Sequence, residues 1–259
     1  MQNHKPIVVI IGPTGSGKTA AAIDIAQRIG GEIIAADSRT VYRGMSIGTA
    51  KPTIQERQGV PHFGFDLVSP NERFTAYDFQ QYARQCIIDI HKRDKVPIIA
   101  GGTGLYVDAL ILNYTFPAQK AANQQFGAAT RLLQPPPHIV VVGIDIDKEI
   151  LNKRLRDRAD TMLEQGVVQE TIELRARYSQ TCPAMSGNMY QVIGEYLEGK
   201  ISRAELPEKM AIKDRQLAKR QRTWFRRHDF ITWLPQSQVT PYIVSRLGAT
   251  TKSCYTEIS

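Results

Sequence analysis

The sequence has little cysteine and no long hydrophobic run, and both absences exclude classes of protein. Its 259 residues include three cysteines, Cys86, Cys182 and Cys254, which lie far apart and form no CxxC pair. This spacing excludes a disulfide framework or cysteine metal site and is typical of reduced thiols. No apolar run approaches the ~20 residues of a membrane span, and the first one lacks a secretory pattern. We therefore expect a cytoplasmic protein without a membrane partner. Separately, we expect it to work as a monomer.

Acidic residues are outnumbered, and the imbalance is concentrated in one part of the chain. The net charge is +8, and between Lys200 and Arg227 ten basic residues face three acidic ones. A helix of this charge favours a polyanionic partner such as RNA. A solvated basic surface remains the alternative.

The segment from Gly12 to Thr19 matches the phosphate-binding pattern of glycine, any four residues, and Gly-Lys-Ser/Thr. The apolar run Ile7–Ile11 precedes it and a helix-periodic stretch follows, which is the order that the motif needs. Its glycines let backbone N–H groups turn toward a phosphate, while the helix N-terminus and Lys18 add positive charge. We predict that a di- or triphosphate, including a nucleotide such as ATP, binds here. The predicted binding residues are Gly12, Pro13, Thr14, Gly15, Ser16, Gly17, Lys18 and Thr19.

Short apolar runs alternate with helix-periodic stretches, which predicts an α/β fold with a parallel sheet flanked by helices. The predicted strands are Ile7–Ile11, Glu32–Ala36, Val96–Ala100, Ile139–Ile144 and Phe230–Leu234. The predicted helices are Lys18–Ile29, Ala76–Arg93, Gly104–Leu112, Lys148–Tyr178 and Arg203–Arg227. Residues 235–259 are polar and show no clear pattern, so we expect a frayed C-terminal tail.

Polar residues follow two further predicted strands. Asp37 comes directly after the second strand, and Gly102 and Thr103 follow the third. In a parallel α/β sheet, ligands bind at the carboxyl ends of the strands, so these residues should share a crevice with the 12–19 loop. From its position, Asp37 is a general base, a metal ligand or a helix cap. Thr103 offers a hydroxyl group beside glycines that allow close backbone approach.

The basic stretch near residue 220 combines cations with apolar residues. Ala218, Trp224 and Phe225 are expected to pack inward while the basic side chains line a groove. Because guanidinium groups suit phosphate contacts, we assign four cations to the diphosphate or the RNA backbone. They are Arg215, Lys219, Arg220 and Arg222.

Four motifs, in this order, resemble the tRNA dimethylallyltransferase (tRNA isopentenyltransferase) family. They are GPTGSGKT at 12–19, ADSRTVYRGMSIGTAKP at 36–52, AGGTGLY at 100–106 and AKRQRTWFR at 218–226. The segments RLRDRADTMLEQG at 154–166 and QVIG at 191–194 are also similar. The resemblance implies a P-loop NTPase-like prenyltransferase core formed by residues 1–116 and 138–234.

The resemblance also implies an activity: transfer of a dimethylallyl group from its diphosphate to N6 of the adenosine beside the tRNA anticodon. The 12–19 loop then holds the diphosphate, and Lys18, Thr19 and Mg²⁺ neutralise the departing charge. Asp37 matches the general base or orienting carboxylate, and Thr103 matches a residue where base and prenyl donor meet. The segment matching a tRNA contact consists of Asp37, Ser38, Arg39 and Thr40.

The sequence departs from the family in two places. Members usually carry a sizeable helical insertion after the AGGTGLY segment, whereas here residues 117–137 form a short polar remnant or linker with a residual helix expected at Gln125–Leu133. After Gly194, the usual continuation and about one helical turn are missing. Both departures concern the grip on tRNA and leave the reacting residues in place.

Three other functions remain open at this point. A free-nucleotide or adenylate prenyltransferase would not need the missing clamp, although the 36–52 block and the basic helix speak against it. A P-loop small-molecule kinase shares the fold, Lys18 and Thr19, and differs in turning over ATP. An RNA-binding protein that has lost turnover is disfavoured because Asp37 and Thr103 are both present.

Overall fold

One parallel sheet organises the molecule. The computed structural model describes residues 5–116 and 131–253. Its strands are β1 Ile7–Ile11, β2 Gly31–Ala36, β3 His62–Phe63, β4 Val96–Gly101, β5 Ile139–Asp145 and β6 Thr232–Pro235. They are arranged in the order β3-β2-β4-β1-β5-β6, and every pairing is parallel. The predicted α/β class with a parallel sheet is confirmed.

The helices cover both faces of the sheet. They are α1 Lys18–Ile29, α2 Ala76–Lys92, α3 Gly104–Ile111, α4 Lys148–Glu164, α5 Val167–Arg177, α6 Asn188–Leu197, α7 Leu206–Phe225 and α8 Gln236–Ser253. On β1, Val9 and Ile11 join a core with α2 and α3, whereas Val8 and Ile10 join a core with α1 and α8. Burial on both faces explains why these strands read as continuous apolar runs.

Two helix ends follow the sequence closely. Thr75 and Asp78 form a reciprocal capping box at the start of α2, as their spacing predicts. Gly30, in the left-handed conformation with φ 65°, ends α1.

Within residues 5–116 and 131–253, no helix has the length and apolar content needed to cross a bilayer.

The predicted helix Lys148–Tyr178 is wrong as a single element. It is divided into α4 and α5 at Gly166, whose φ of 94° is a left-handed conformation that no helix can continue through. The two-residue strand β3 and the helix α6 were not predicted. The former is too short to show alternation, and it adds an edge strand beside β2.

The expectation of a frayed tail is also wrong for Gln236–Ser253, which forms α8. Val239 and Ile243, four residues apart, are fully buried against α1. Thr240 donates a hydrogen bond to Asp24 of α1 at 2.6 Å. The polar composition and Pro241 mask this narrow apolar face in the sequence. Residues 117–130 and 254–259, and with them most of the expected residual helix, lie outside the described residues.

The buried face of α8 supplies a direct test of its packing. Replacing Ile243 with valine is expected to lower the free energy of unfolding by about 0.5–1.5 kcal/mol, because one buried methylene is lost. The matched control is Val244→Ala at the neighbouring position, which is 40% exposed. Thermal or denaturant unfolding measures both; equal losses in the two variants would contradict the assigned packing.

The strand register brings three carboxyl ends together. Gly101, the last residue of β4, lies opposite Ile11 of β1 on one side and opposite Ala36 of β2 on the other. A side chain on Gly101 would meet the carbonyl oxygen of Ala36 at 2.1 Å, so only glycine allows this close pairing. The loops that follow these strands therefore start side by side.

Candidate active site

The loop from Gly12 to Thr19 connects β1 to α1 in the geometry that its motif predicts. Gly15 and Gly17 have positive φ values of 77° and 87°, which turn the backbone toward the N-terminus of α1. Among the described residues, no side chain caps this helix end. Its first N–H groups and the partial positive charge of the helix therefore face the crevice, which suits an anion.

Lys18 supplies a positive charge at this loop, and the lysine side chain folds back over the loop. Its Nζ donates to the carbonyl oxygen of Pro13 at 3.2 Å. Burial lowers the pKa of Lys18 to about 8, an effect that the negative charges of Asp37 and Asp214 oppose. Removal from water thus leaves this ammonium short of compensating charge, and an anionic ligand would supply it.

Thr103 is held next to Asp37 by hydrogen bonds to the two residues that flank Asp37. The backbone N–H of Ser38 donates to Thr103 Oγ1 at 2.9 Å, and the N–H of Thr103 donates to the carbonyl of Ala36 at 3.1 Å. Asp37 Oδ1 accepts the N–H of Arg39 at 2.8 Å. This bond stabilises a tight turn, and within the described chain Asp37 caps no α-helix. The cap interpretation is therefore excluded for the described part of the chain.

The three loops line one cavity of about 250 Å³. Predicted site residues in its wall are Thr14, Lys18, Thr19, Asp37, Ser38, Arg39, Thr40, Thr103 and Arg220. Gly12, Pro13, Gly15 and Gly17 shape the loop behind that wall, and Ser16 is fully buried beside a separate cleft between α1 and α8. The predicted convergence of three strand ends on one crevice is confirmed.

The predicted cations of α7 have different surroundings. Arg220 is exposed and borders the cavity. Arg215 pairs with Glu208 at 2.6 Å, and Arg222 pairs with Asp145 at 3.0 Å. Lys219 is exposed outside the cavity wall. Much of the charge of this helix is thus balanced within the protein, and Arg220 is the one of these four cations that reaches the cavity.

Several cavity residues were not anticipated from the sequence, among them Arg158, Asp214 and Gln221. Asp214 is buried and lies 3.2 Å from Arg158 Nε, and burial raises the pKa of Asp214. Gln221 accepts a hydrogen bond from the backbone N–H of Thr14 at 2.8 Å. The sequence offered one weak signal for each of two of these residues. Asp214 is an isolated acid in a basic stretch, and Gln221 lies inside the AKRQRTWFR motif.

A carboxylate on α5 holds the segment that follows Asp37. Glu170 accepts the backbone N–H groups of Ser46 and Ile47 at 2.8 Å and that of Gly48 at 2.9 Å. It also accepts the hydroxyl of Tyr190 at 2.8 Å, and burial raises the pKa of that hydroxyl. One side chain therefore satisfies four donors and fixes the 46–48 turn.

Comparison with known proteins shows which family the chain resembles. A family model described as IPP transferase matches residues 40–134 and 118–228, and one described as isopentenyl transferase matches residues 5–65. The tRNA dimethylallyltransferase of Desulforudis audaxviator is 35% identical over 283 residues, covering 88% of this chain and 91% of the relative. That of Staphylococcus aureus is 31% identical over 298 residues, covering 93% and 96%.

Solved structures give the same result. The tRNA isopentenylpyrophosphate transferase of Bacillus halodurans superposes with a TM-score of 0.82 at 28% identity, covering 96% of this chain and 99% of that chain. The corresponding enzyme of Staphylococcus epidermidis has a TM-score of 0.81 at 31% identity, covering 95% and 100%. The chain, with its P-loop NTPase-like fold, therefore belongs to the tRNA dimethylallyltransferase family.

Proposed function

We propose that this protein transfers a dimethylallyl group from dimethylallyl diphosphate to N6 of the adenosine adjacent to the anticodon of a tRNA. The observation that carries this proposal is the cavity that Lys18, Asp37 and Thr103 line together. It joins a cationic loop suited to a diphosphate with a carboxylate and a hydroxyl suited to an amino group. The 31–35% identity to proteins named for this reaction supports the same substrates.

The diphosphate end of the donor fits the 12–19 loop. The N–H groups at the start of α1 and the ammonium of Lys18 stabilise negative charge as the C1–O bond breaks and the oxygen keeps the electron pair. Arg220, at the cavity border, adds a guanidinium on the α7 side. Together they favour diphosphate as a leaving group without any transfer of phosphate.

The acceptor end of the cavity fits an adenine. The N6 nitrogen attacks C1 of the dimethylallyl group, forming the new N–C bond, and the displaced N6 proton passes to the carboxylate of Asp37. Thr103 Oγ1 lies beside the same turn through its bond with the N–H of Ser38 and orients the base. The adenine must leave its stack to enter this cavity.

We propose Mg²⁺ as the cofactor, with the hydroxyl of Thr19 as its protein ligand. The donor set fits, because Thr19 and the carboxylate of Asp37 line the same cavity and Mg²⁺ prefers oxygen ligands shared with substrate phosphates. The described ranges contain no cluster of three His, Cys, Asp or Glu side chains that could hold a metal alone. When bound, the ion neutralises charge on the departing diphosphate.

The tRNA side of the proposal rests on the segment after Asp37 and on α7. We assign Ser38, Arg39 and Thr40 to contacts with the anticodon loop, and Arg215, Lys219 and Arg222 of α7 to its backbone. Arg39 already donates to the carbonyl of Pro183 at 3.2 Å, which holds its guanidinium near the cavity. We further propose that the protein works in the cytoplasm, where its tRNA substrate would be met, and that it acts as a monomer.

Mass spectrometry of nucleosides tests the proposed reaction. The protein is incubated with dimethylallyl diphosphate, Mg²⁺ and unmodified tRNA carrying adenosines beside the anticodon, with AMP and ATP as parallel acceptors. Prenylated adenosine in the tRNA digest is the expected result. Prenylated AMP alone would move the assignment to a nucleotide prenyltransferase, and ATP turnover without any prenyl product would indicate a kinase.

Lys18 gives the proposed diphosphate site a pH dependence. Since burial lowers the pKa of Lys18 to about 8, the side chain is charged below that pH and loses its charge above it. The affinity for inorganic pyrophosphate is therefore expected to fall as pH rises through 8, by up to about tenfold per pH unit. Calorimetry in magnesium-free buffer measures the dissociation constant.

The matched control is Lys18→Gln, which reports the titration of pyrophosphate itself. We expect weaker binding in this variant without the inflection near pH 8. If wild-type protein and Lys18→Gln show the same pH profile, the charge of Lys18 does not contribute to binding.

A further inference from the structure

A side chain of α7 bridges the two loops that hold the proposed donor and acceptor. Gln221 Oε1 accepts the backbone N–H of Thr14, in the 12–19 loop, at 2.8 Å. A Cβ atom on Gly102 would lie 2.3 Å from Gln221 Nε2 and 3.4 Å from the carbonyl oxygen of Gly12. One amide group is therefore bonded to the first loop and packed on the turn that precedes Thr103.

The next turn of α7 covers the other side of Thr103. A Cβ atom on Gly104 would lie 2.2 Å from Cδ1 of Trp224, so the indole rests directly on that glycine. Trp224 Nε1 donates to Asp108 Oδ2 at 3.0 Å, and Asp108 is buried in α3. Gln221 and Trp224, three positions apart on one helix face, thus occupy the space beside both glycines that flank Thr103.

We propose that Gln221 is a positioning residue that fixes the distance between the diphosphate of the donor and the acceptor base. This inference rests on the proposed function. Transfer needs C1 of the donor and N6 of the base in near-attack geometry, and a displacement of ~1 Å can cost ~100-fold in rate. The amide suits this role because it accepts the N–H of Thr14 without placing a negative charge beside the diphosphate.

The variant Gln221→Met removes the acceptor for Thr14 and keeps a side chain of similar length. We expect kcat for tRNA prenylation to fall about 10- to 100-fold, with KM for dimethylallyl diphosphate changing less than about threefold. The donor is then still activated but poorly aligned with N6. Water, in place of N6, attacks C1 and loses a proton, giving dimethylallyl alcohol and free diphosphate.

The ratio of prenylated tRNA to dimethylallyl alcohol is the decisive readout, because loss of folded protein lowers both products equally. The variant Gln221→Glu retains an acceptor for the N–H of Thr14 and is expected to restore this ratio while raising KM for the anionic donor. Gln216→Met, at an exposed position of the same helix, is the matched control and is expected to behave as wild type.

The outcomes separate the inference from the function on which it rests. A wild-type product ratio in Gln221→Met would overturn the positioning role and leave the proposed prenyltransferase activity intact. The same holds if both products fall equally in the two Gln221 variants and thermal unfolding explains the loss. A wild-type protein that prenylates no acceptor would overturn the proposed function and this inference together. A lower ratio in Gln221→Met, restored in Gln221→Glu, supports the proposal.

Discussion

The Asp37→Asn variant is expected to prenylate tRNA about 10²- to 10⁴-fold more slowly than the wild-type protein, the usual effect of removing a general base. Asparagine has nearly the same shape and still accepts the N–H of Arg39, a bond of 2.8 Å in the wild-type protein. The turn should therefore persist while the group that takes the N6 proton is lost. The rate is measured by single-turnover prenylation at saturating donor and tRNA.

Two measurements separate this result from a general effect of the substitution and from a loss of donor binding. Asp160→Asn, at an exposed position of α4, is the matched control and is expected to retain full activity. Because the charge of Asp37 raises the pKa of Lys18, pyrophosphate affinity is measured in the same variant to separate binding from chemistry. An Asp37→Asn enzyme retaining more than a tenth of the wild-type rate would exclude Asp37 as the base.

The Glu170→Ala variant is expected to lose about 3 kcal/mol of unfolding free energy, because the part-buried donors of Ile47, Gly48 and Tyr190 lose their acceptor. An unsatisfied buried donor costs ~1–3 kcal/mol. The change removes the acceptor for three backbone N–H groups and for the hydroxyl of Tyr190. The 46–48 turn, which continues the proposed tRNA-contacting segment, should then open more often than the sheet. Prenylation of tRNA should fall more than pyrophosphate binding, because the 12–19 loop lies outside this contact.

Amide hydrogen exchange measures the more frequent opening of the 46–48 turn at its own residues. We expect faster exchange at Ser46, Ile47 and Gly48 in Glu170→Ala, with β1 and β4 unchanged. Glu173→Ala, one turn later on the exposed face of α5, provides the control because its partner Gln169 is also exposed. Equal stability and exchange in the two variants would show that Glu170 does not organise the turn.

Features that depend on neighbouring residues could be predicted from the sequence. β1 has the predicted bounds, and β4 and β5 each extend one residue further, because a buried parallel strand is a continuous apolar run. The break at Gly166 was missed because helical periodicity resumes directly after it. The helix α8 was missed because two buried residues in a polar segment give a weak signal.

In the site, too, only features that depend on sequence neighbours could be predicted. The motifs identify Lys18, Asp37 and Thr103 because each follows a strand whose end can be located. The contacts that fix these residues join distant parts of the chain: Gln221 is 207 positions from Thr14, and Glu170 is 124 positions from Ser46. No local pattern encodes such a pair, so only the folded arrangement shows which polar side chain supports which loop.

The strand order also determines when the protein becomes competent during synthesis. β1 is made first, yet its neighbours β4 and β5 begin only at Val96 and Ile139. Until both have left the ribosome, a fully apolar strand has unpaired edges, which is a hazard for aggregation. α7, which supplies Gln221, follows at Leu206–Phe225. A nascent chain therefore carries the complete phosphate-loop motif long before the helix that completes the cavity wall has been made.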